Sequence, residues 1–121
     1  MKLSTSEEEL MSHLWAKEKA FMKDLLEAYP EPKPATTTIA TLLKRMTDKG
    51  FVGYTLFGKS RQYYPLVEKS AYFSKHVNGI IKSFFDDSAS QFASFFTKET
   101  NLTKTELEEL RKIIDQQIKN K

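Results

Sequence analysis

The sequence lacks cysteine altogether, which excludes disulfides, thiol nucleophiles, iron–sulfur clusters and thiolate zinc sites. It also lacks any apolar run approaching the roughly 20 residues of a membrane-spanning helix, so no membrane insertion is expected. Residues 1–9 are polar and acidic, unlike the basic and apolar start of a signal peptide. We therefore expect a cytoplasmic protein.

Patterns typical of catalytic sites are missing as well. The two histidines, His13 and His76, fall on separate predicted helices, with no carboxylate or nucleophile placed to work with them. There is no Gly-rich phosphate loop and no spacing of metal ligands. We expect the protein to be no enzyme and to hold no metal and no cofactor.

What the chain does contain is an uneven distribution of charge. Its 121 residues suit one ordinary domain, and a hydrophobic content of 40% is that of a globular protein. Residues 33–66 carry six lysines and arginines against a single aspartate, whereas residues 1–32 carry four lysines against seven acidic residues. The basic middle third is a candidate phosphate-binding surface.

Apolar residues at helical spacing predict three helices before residue 50. Ser6 and Glu9 are spaced as a capping box for the first helix. Prolines within 30–34 end the second helix, because each proline disfavours helix in the residue before it. The third helix is predicted from about Thr36 to Lys49, with Gly50 as the left-handed residue that closes it.

The third helix has two contrasting faces, followed by a predicted hairpin. Ile39, Leu42, Leu43 and Met46 recur at helical spacing and predict a narrow buried stripe. The opposite face holds Thr37, Thr41, Lys44 and Asp48, flanked by Thr38, Ala40 and Arg45. A face of short polar and basic side chains with no acid before its last turn suits a groove lined by phosphates. Residues 51–57 and 62–66 predict two strands joined by a turn over 58–61.

Three helices followed by a two-stranded hairpin is the order of a winged helix-turn-helix, whose last helix enters the major groove of DNA. Threonine side chains are short enough to let a helix approach base edges, and lysine and arginine suit phosphates. The predicted DNA-binding residues are Thr36, Thr37, Thr38, Thr41, Lys44, Arg45, Lys59 and Arg61.

The remainder of the chain, from Glu68, is predicted to be helical, with Thr103 and Glu106 as a capping box for the last helix. Its apolar residues are too many for the first 67 residues to cover, so we expect a second copy of the chain to cover them. The predicted dimer interface contains Tyr72, Phe73, Val77, Ile80, Ile81, Phe84, Phe85, Phe92, Phe95, Phe96, Leu110 and Ile114.

The predicted fold is therefore mainly α with a small β-hairpin. A winged helix-turn-helix DNA-binding domain occupies residues 1–67, and a helical dimerisation region occupies residues 68–121. Three alternatives remain open at this point. The apolar stripe could fold back onto its own chain, residues 72–96 could form the wall of a site for a small apolar effector, or the winged helix could serve protein interaction.

Four segments together resemble the penicillinase-repressor family, of BlaI/MecI/CopY type, over nearly the whole chain. The segments are Glu9-Leu10-Met11 with Leu14-Trp15, Thr38 to Met46 with Lys49-Gly50-Phe51, Gln62 to Val67, and Glu106 to Arg111. The resemblance implies a cytoplasmic dimeric repressor of palindromic TACA/TGTA-type operators, with Thr37, Thr38, Thr41 and Lys44 facing the groove.

The resemblance also implies which genes are controlled and how the repressor is released. Antibiotic-resistance-like or cell-envelope stress genes are the expected targets. A membrane-bound sensor metallopeptidase, or the protease that it activates, is the implied agent of release by cleavage.

The sequence departs from the family pattern at three places. Ala40 stands where relatives carry an arginine that contacts DNA. Relatives are cut at an Asn-Phe bond, whereas this chain has Ala93-Ser94-Phe95-Phe96, so the candidate cleavage bond is Ser94–Phe95. The C-terminal cysteines of the copper-responsive branch are missing, which excludes copper sensing by that route.

Overall fold

A computed structural model of the protein describes residues 2–121. These residues form six helices and three short strands. In chain order they are α1 (Thr5–Lys17), β1 (Ala20–Phe21), α2 (Met22–Ala28), α3 (Thr36–Asp48), β2 (Val52–Phe57), β3 (Ser60–Pro65), α4 (Lys69–Phe84), α5 (Ala89–Glu99) and α6 (Lys104–Lys119). The prediction of a mainly helical fold with a small β-hairpin is confirmed.

The chain divides into two compact units, one ending at His76 and the other running Val77–Lys121. The division of function between residues 1–67 and 68–121 stays a prediction.

The first unit contains the hydrophobic core, which α1, α2, α3 and the sheet enclose. Leu10, Met11 and Leu14 of α1 are fully buried, as is Leu25 of α2. The indole Nε1 of Trp15 donates a hydrogen bond to the carbonyl of Val67 (2.8 Å), which ties the end of β3 to α1.

The start of α1 differs from the prediction of a capping box at Ser6 and Glu9. Ser4 is the N-cap: its Oγ accepts from the amide of Glu7 (3.2 Å), and Glu7 Oε1 accepts from the amide of Ser4 (2.8 Å). Both pairs have the same spacing in the sequence. The prediction was wrong because burial of Glu7, which the spacing does not encode, selects the earlier pair.

The end of α3 confirms the predicted role of Gly50. Gly50 has φ of 82°, and its amide donates to the carbonyl of Thr47 (3.1 Å). The amide of Phe51 donates to the carbonyl of Met46 (2.9 Å). These two bonds make a Schellman motif, which turns the chain out of the helix and into β2.

The sheet has the order β1-β3-β2 and is antiparallel throughout. Phe57 pairs with Ser60, so the hairpin turn is the two residues Gly58 and Lys59, and β3 runs Ser60–Pro65. The predicted bounds, a turn over 58–61 and a strand over 62–66, were wrong because pairing with β2 extends β3 back to Ser60. β1 was not predicted, since the helical spacing of the apolar residues from Phe21 to Tyr29 predicts that Phe21 belongs to the second helix. Two residues carry no alternating pattern, and only the pairing of β1 with β3 makes them a strand.

The second unit begins within α4 and continues through α5 and α6. Ser88 caps α5, and Thr103 caps α6 with the predicted box, in which Glu106 Oε1 accepts from the amide of Thr103 (2.9 Å). No residue of α5 or α6, both fully described, is buried. Within residues 2–121, no helix is long and apolar enough to cross a membrane.

Replacing Gly50 by alanine should lower the free energy of unfolding of the first unit by about 1 kcal/mol, since an L side chain is strained at positive φ. A Cβ at this position meets nothing within 4 Å, so the cost is one of backbone conformation alone. Urea denaturation followed by circular dichroism measures it. Gly50→Asn, whose side chain tolerates this conformation, should cost less. Equal stability of Gly50→Ala and the parent protein would contradict this account of the turn.

Candidate nucleic-acid interface

The orientation of α3 follows from its buried stripe. Ile39 and Leu43 are each 1% exposed and Met46 is fully buried, so these side chains face α1, α2 and the sheet. The opposite face of the helix then points outward. All eight residues predicted to contact DNA are exposed: Thr36, Thr37, Thr38, Thr41, Lys44, Arg45, Lys59 and Arg61.

The threonines of α3 do not all present the same hydrogen-bonding groups. Thr41 Oγ1 donates to the carbonyl of Thr37 (2.9 Å), one helical turn back. Its hydrogen is therefore used within the helix, and the oxygen is left as an acceptor beside an outward methyl group. This geometry suits the amino group of adenine or cytosine together with a thymine methyl.

The two basic residues of the outer face differ in their surroundings. Lys44 Nζ lies 3.2 Å from Asp48 Oδ2, and both side chains are largely exposed. Such an exposed pair on one helix contributes little to stability, so Lys44 is available to a phosphate. Arg45 Nη1 lies 4.0 Å from Glu7 Oε2 and is half-exposed, at the side of α3 that meets α1.

Glu7 is a buried carboxylate, 2% exposed, that joins the start of α1 to the end of α3. Its Oε2 accepts from Lys49 Nζ at 2.8 Å. Burial raises the pKa of Glu7, but the hydrogen bond from Lys49 and those from Ser4 outweigh burial, so the pKa lies below its ordinary value of 4.5. Glu7 is thus charged at neutral pH and holds Lys49 at the end of α3.

The β2–β3 hairpin carries the predicted cations of the wing. Lys59 is exposed in the turn itself, next to Gly58 with φ of 63°. The guanidinium of Arg61 lies 4.5 Å from the centre of the Tyr54 ring, a cation–π contact that orients the side chain.

A groove separates α3 from the hairpin and brings predicted residues of both elements together. Lys44 and Ala40 line it from α3, and Arg61 and Tyr54 line it from the hairpin. A second groove adjoins the first through Arg61 and runs between the hairpin and the start of α2, where it is lined by Lys23 and Lys59. Asp48 also lines the first groove and Asp24 the second, so the two grooves together hold four cations and two carboxylates and make one surface of net positive charge.

Lys23 and Tyr54 are the surface residues that sequence reasoning missed. Lys23 reaches the hairpin only because β1 pairs with β3 and sets the start of α2 beside it. An aromatic residue in a strand gives no indication that it supports an arginine on the neighbouring strand.

The residues predicted for the dimer interface separate into two groups. Tyr72 is 5% exposed and belongs to the core of the first unit: its hydroxyl accepts from the amide of Leu3 (3.0 Å) and donates to Glu8 Oε2 (2.7 Å). It therefore presents little surface to a partner. Phe73, 40% exposed, packs its ring against Trp15 with centroids 5.8 Å apart.

The other predicted interface residues lie in the second unit, where none of them is fully buried. Phe85 packs edge-on against Phe92 and Phe95, with centroids 5.4 and 5.3 Å apart. Phe84 is 79% exposed. The large apolar residues exposed in this unit are Val77, Ile80, Phe84, Phe95, Phe96, Leu107, Ile113, Ile114 and Ile118.

The candidate cleavage residues, Ser94 and Phe95, lie in the middle of α5 and are both exposed.

A three-helix unit with a basic hairpin after its third helix defines a winged-helix DNA-binding protein. The family model described as penicillinase repressor matches residues 3–116. The chain belongs to the penicillinase repressor family, and it is a DNA-binding transcriptional repressor and not an enzyme.

Relatives agree with this assignment. The methicillin resistance regulatory protein MecI of Staphylococcus aureus (strain N315) is 31% identical over 114 residues, which cover 93% of each chain. The MecI protein of Mammaliicoccus sciuri is 30% identical over the same length and coverage.

Two solved structures share the fold at low identity. Bordetella bronchiseptica BpsR, whose DNA binding is regulated by 6-hydroxynicotinic acid, matches with a TM-score of 0.53 and 10% identity, covering 96% of this chain and 80% of its own. A cysteine-to-serine mutant of Escherichia coli MarR matches with a TM-score of 0.52 and 12% identity, covering 97% and 79%.

Replacing Glu7 by glutamine should lower the free energy of unfolding at pH 7 by about 2 kcal/mol, because Lys49 loses its charged partner. Since the folded-state pKa of Glu7 lies below 4.5, its contribution is present above pH 4.5 and is lost as the pH falls through the folded-state pKa. Urea midpoints of parent and variant should therefore converge in acid. Glu109→Gln, at an exposed position, should have the urea midpoint of the parent at every pH. A difference in urea midpoint between Glu7→Gln and the parent that stays constant with pH would contradict the lowered pKa of Glu7.

Proposed function

We propose that this repressor is a homodimer that binds a near-palindromic operator of TACA/TGTA type. In this arrangement α3 enters the major groove and the hairpin contacts the adjoining phosphate backbone. The observation that carries the proposal is that Lys44 of α3 and Arg61 of the hairpin line one groove. A basic surface that spans a recognition helix and a wing fits one side of a DNA duplex.

Each residue has a role in this proposal that follows from its chemistry. Thr37, Thr38 and Thr41 contact base edges, where Thr41 acts as an acceptor and supplies a methyl group. The remaining residues contact phosphates and fix the position of the protein on the duplex. They are Thr36, Lys44, Arg45, Lys59 and Arg61, with Lys23 added from the second groove.

Ala40 lies among these residues and lines the groove beside Lys44. Where relatives carry an arginine, a methyl group makes an apolar contact only. The operator of this protein is therefore expected to differ from those of relatives at the base pair that Ala40 faces.

The dimer is proposed from the second unit. Its apolar residues, Phe84 most of all, remain in contact with water in a single chain. Large apolar residues exposed in this number are typical of a subunit interface, and a two-fold axis would let the same surface cover itself. Such a dimer presents two α3 helices to DNA, which is why the operator is expected to be near-palindromic.

For release, we infer cleavage between Ser94 and Phe95 by a membrane-bound sensor metallopeptidase or the protease that it activates. The proposed targets are antibiotic-resistance-like or cell-envelope stress genes, which the repressor controls from the cytoplasm. α5 has no buried residue in a single chain, so opening it to a protease costs little free energy there, whereas in the proposed dimer the interface around Phe95 must open first.

Thr41→Ala should weaken binding to a palindromic TACA/TGTA duplex about fivefold, which corresponds to about 1 kcal/mol, because it removes the acceptor and the methyl group. Lys44→Ala should weaken binding to specific and non-specific duplexes alike. The slope of log K against the logarithm of the salt concentration should become less steep by about the amount that one phosphate contact contributes. Fluorescence anisotropy over a range of salt concentrations measures both effects.

Lys119→Ala, near the end of α6, is the matched control and should bind as the parent does. Both α3 variants must also remain dimeric. Parent-like binding by Thr41→Ala and Lys44→Ala together would contradict the placement of α3 in the groove.

Phe84→Glu should convert the dimer into a monomer at micromolar concentration, because it places a charge in the apolar surface of the second unit. Light scattering coupled to size exclusion gives the mass. Leu66→Glu, at an exposed apolar residue of the first unit, should leave the dimer intact. A parent chain that is monomeric at this concentration would overturn the dimer.

A further inference from the structure

A hollow of about 300 Å³ lies in the first unit, away from both basic grooves. It is bounded by the start of α1, the proline-rich connector after α2 and the first turns of α3. The connector supplies Pro30, Pro32 and Pro34, and α3 supplies Ile39 and Leu42. The volume is that of a small-molecule site at the lower end of the usual range, with room for about one substituted ring.

The charged residues of the hollow are both acidic. Glu9 of α1 and Glu31 of the connector line it, and neither is buried. The nearby ammonium of Lys33 does not line the hollow, because it donates to the carbonyls that end α2, with its shortest bond to that of Tyr29 (2.8 Å). A phosphate or a carboxylate would be repelled here, whereas a cation would be attracted.

Tyr29 forms part of the wall and is 8% exposed. Burial raises the pKa of Tyr29 to about 12, with Glu9 adding to the shift, so the hydroxyl stays neutral. Among residues 2–121 this buried hydroxyl has no hydrogen-bond partner, and neither does Nε2 of His13, whose ring centroid is 4.4 Å from that of Tyr29. An unpaired buried hydroxyl costs free energy that a bound polar group could recover after a small movement of the wall.

We propose that this hollow binds a small organic cation, an amine on an aromatic or aliphatic body, and that binding changes the affinity for DNA. The apolar body packs on the prolines of the connector. The ammonium faces the exposed carboxylates of Glu9 and Glu31.

The link to DNA follows from the residues that the hollow shares with α3. Ile39 and Leu42 belong to the buried stripe that sets the orientation of the helix, and Thr38 lies at the edge of the hollow and on the DNA-facing side. A ligand held against Thr38 and the small exposed part of Leu42 favours one position of α3 over others. By linkage, DNA and amine then change each other's affinity by the same factor. This second half of the proposal rests on the proposed function.

The site is tested by titrating the ¹⁵N-labelled full-length protein with benzylamine, benzyl alcohol or benzoate and following the amide resonances. Benzylamine should give saturable shifts at Tyr29, Thr38, Ile39 and Leu42. Benzyl alcohol, which lacks the charge, should bind about fivefold more weakly, and benzoate should not bind. Shifts that are scattered over other residues, or equal shifts with the alcohol, would overturn the site.

Charge-neutralising variants provide the matched comparison. Glu9→Gln and Glu31→Gln should each weaken benzylamine binding several-fold, whereas Glu27→Gln, on the same unit but outside the hollow, should not. If benzylamine binds the three variants with equal affinity, the carboxylates of Glu9 and Glu31 do not select the cation and the proposal fails.

Operator binding with and without saturating benzylamine, at matched ionic strength, tests the coupling. The dissociation constant should change at least twofold for the parent and by less for Glu9→Gln. An unchanged constant alongside saturable amide shifts would overturn the coupling and support the site. Failure to bind any operator would instead overturn the proposed function, because the amide shifts do not depend on DNA.

Discussion

The burial of one face of α3 is the constraint on which the rest of the structure depends. A helix has a single rotation that places Ile39, Leu42, Leu43 and Met46 in the core, and full burial of each such side chain contributes about 1.5–3 kcal/mol. That rotation turns the threonines and Lys44 outward. The left-handed Gly50 then ends the helix and directs the chain into β2, so the hairpin returns beside the outward face.

Charge is sorted by the same geometry. Of the acidic residues of the first third, Asp24 alone lines a basic groove. Glu7 is buried and holds Lys49 behind α3, while Glu9 and Glu31 line a hollow away from the grooves. The cations that remain on the outer side of α3 and on the hairpin line adjoining grooves. A modest net charge of +3 therefore coexists with grooves in which four cations face two carboxylates.

Local patterns in the sequence predicted α3, its closing turn, the hairpin and the Thr103 cap, because each depends on residues within a few positions of one another. They could not predict β1, which exists only through pairing with β3, or Lys23, which β1 carries to the hairpin. They also placed Tyr72 at a subunit interface. Its hydroxyl instead bonds Leu3 and Glu8, which lie 69 and 64 positions away, and periodicity holds no information on such a contact.

The central claim is that the outer face of α3 and the hairpin form the surface that binds DNA. The most direct test maps amide shifts of the ¹⁵N-labelled protein on adding a palindromic TACA/TGTA duplex. The account predicts that the largest changes fall at Thr37, Thr38, Thr41, Lys44 and the Gly58-Lys59 turn, at one duplex per two chains. Changes confined to α6 or to the proline-rich connector, with α3 unaffected, would contradict it.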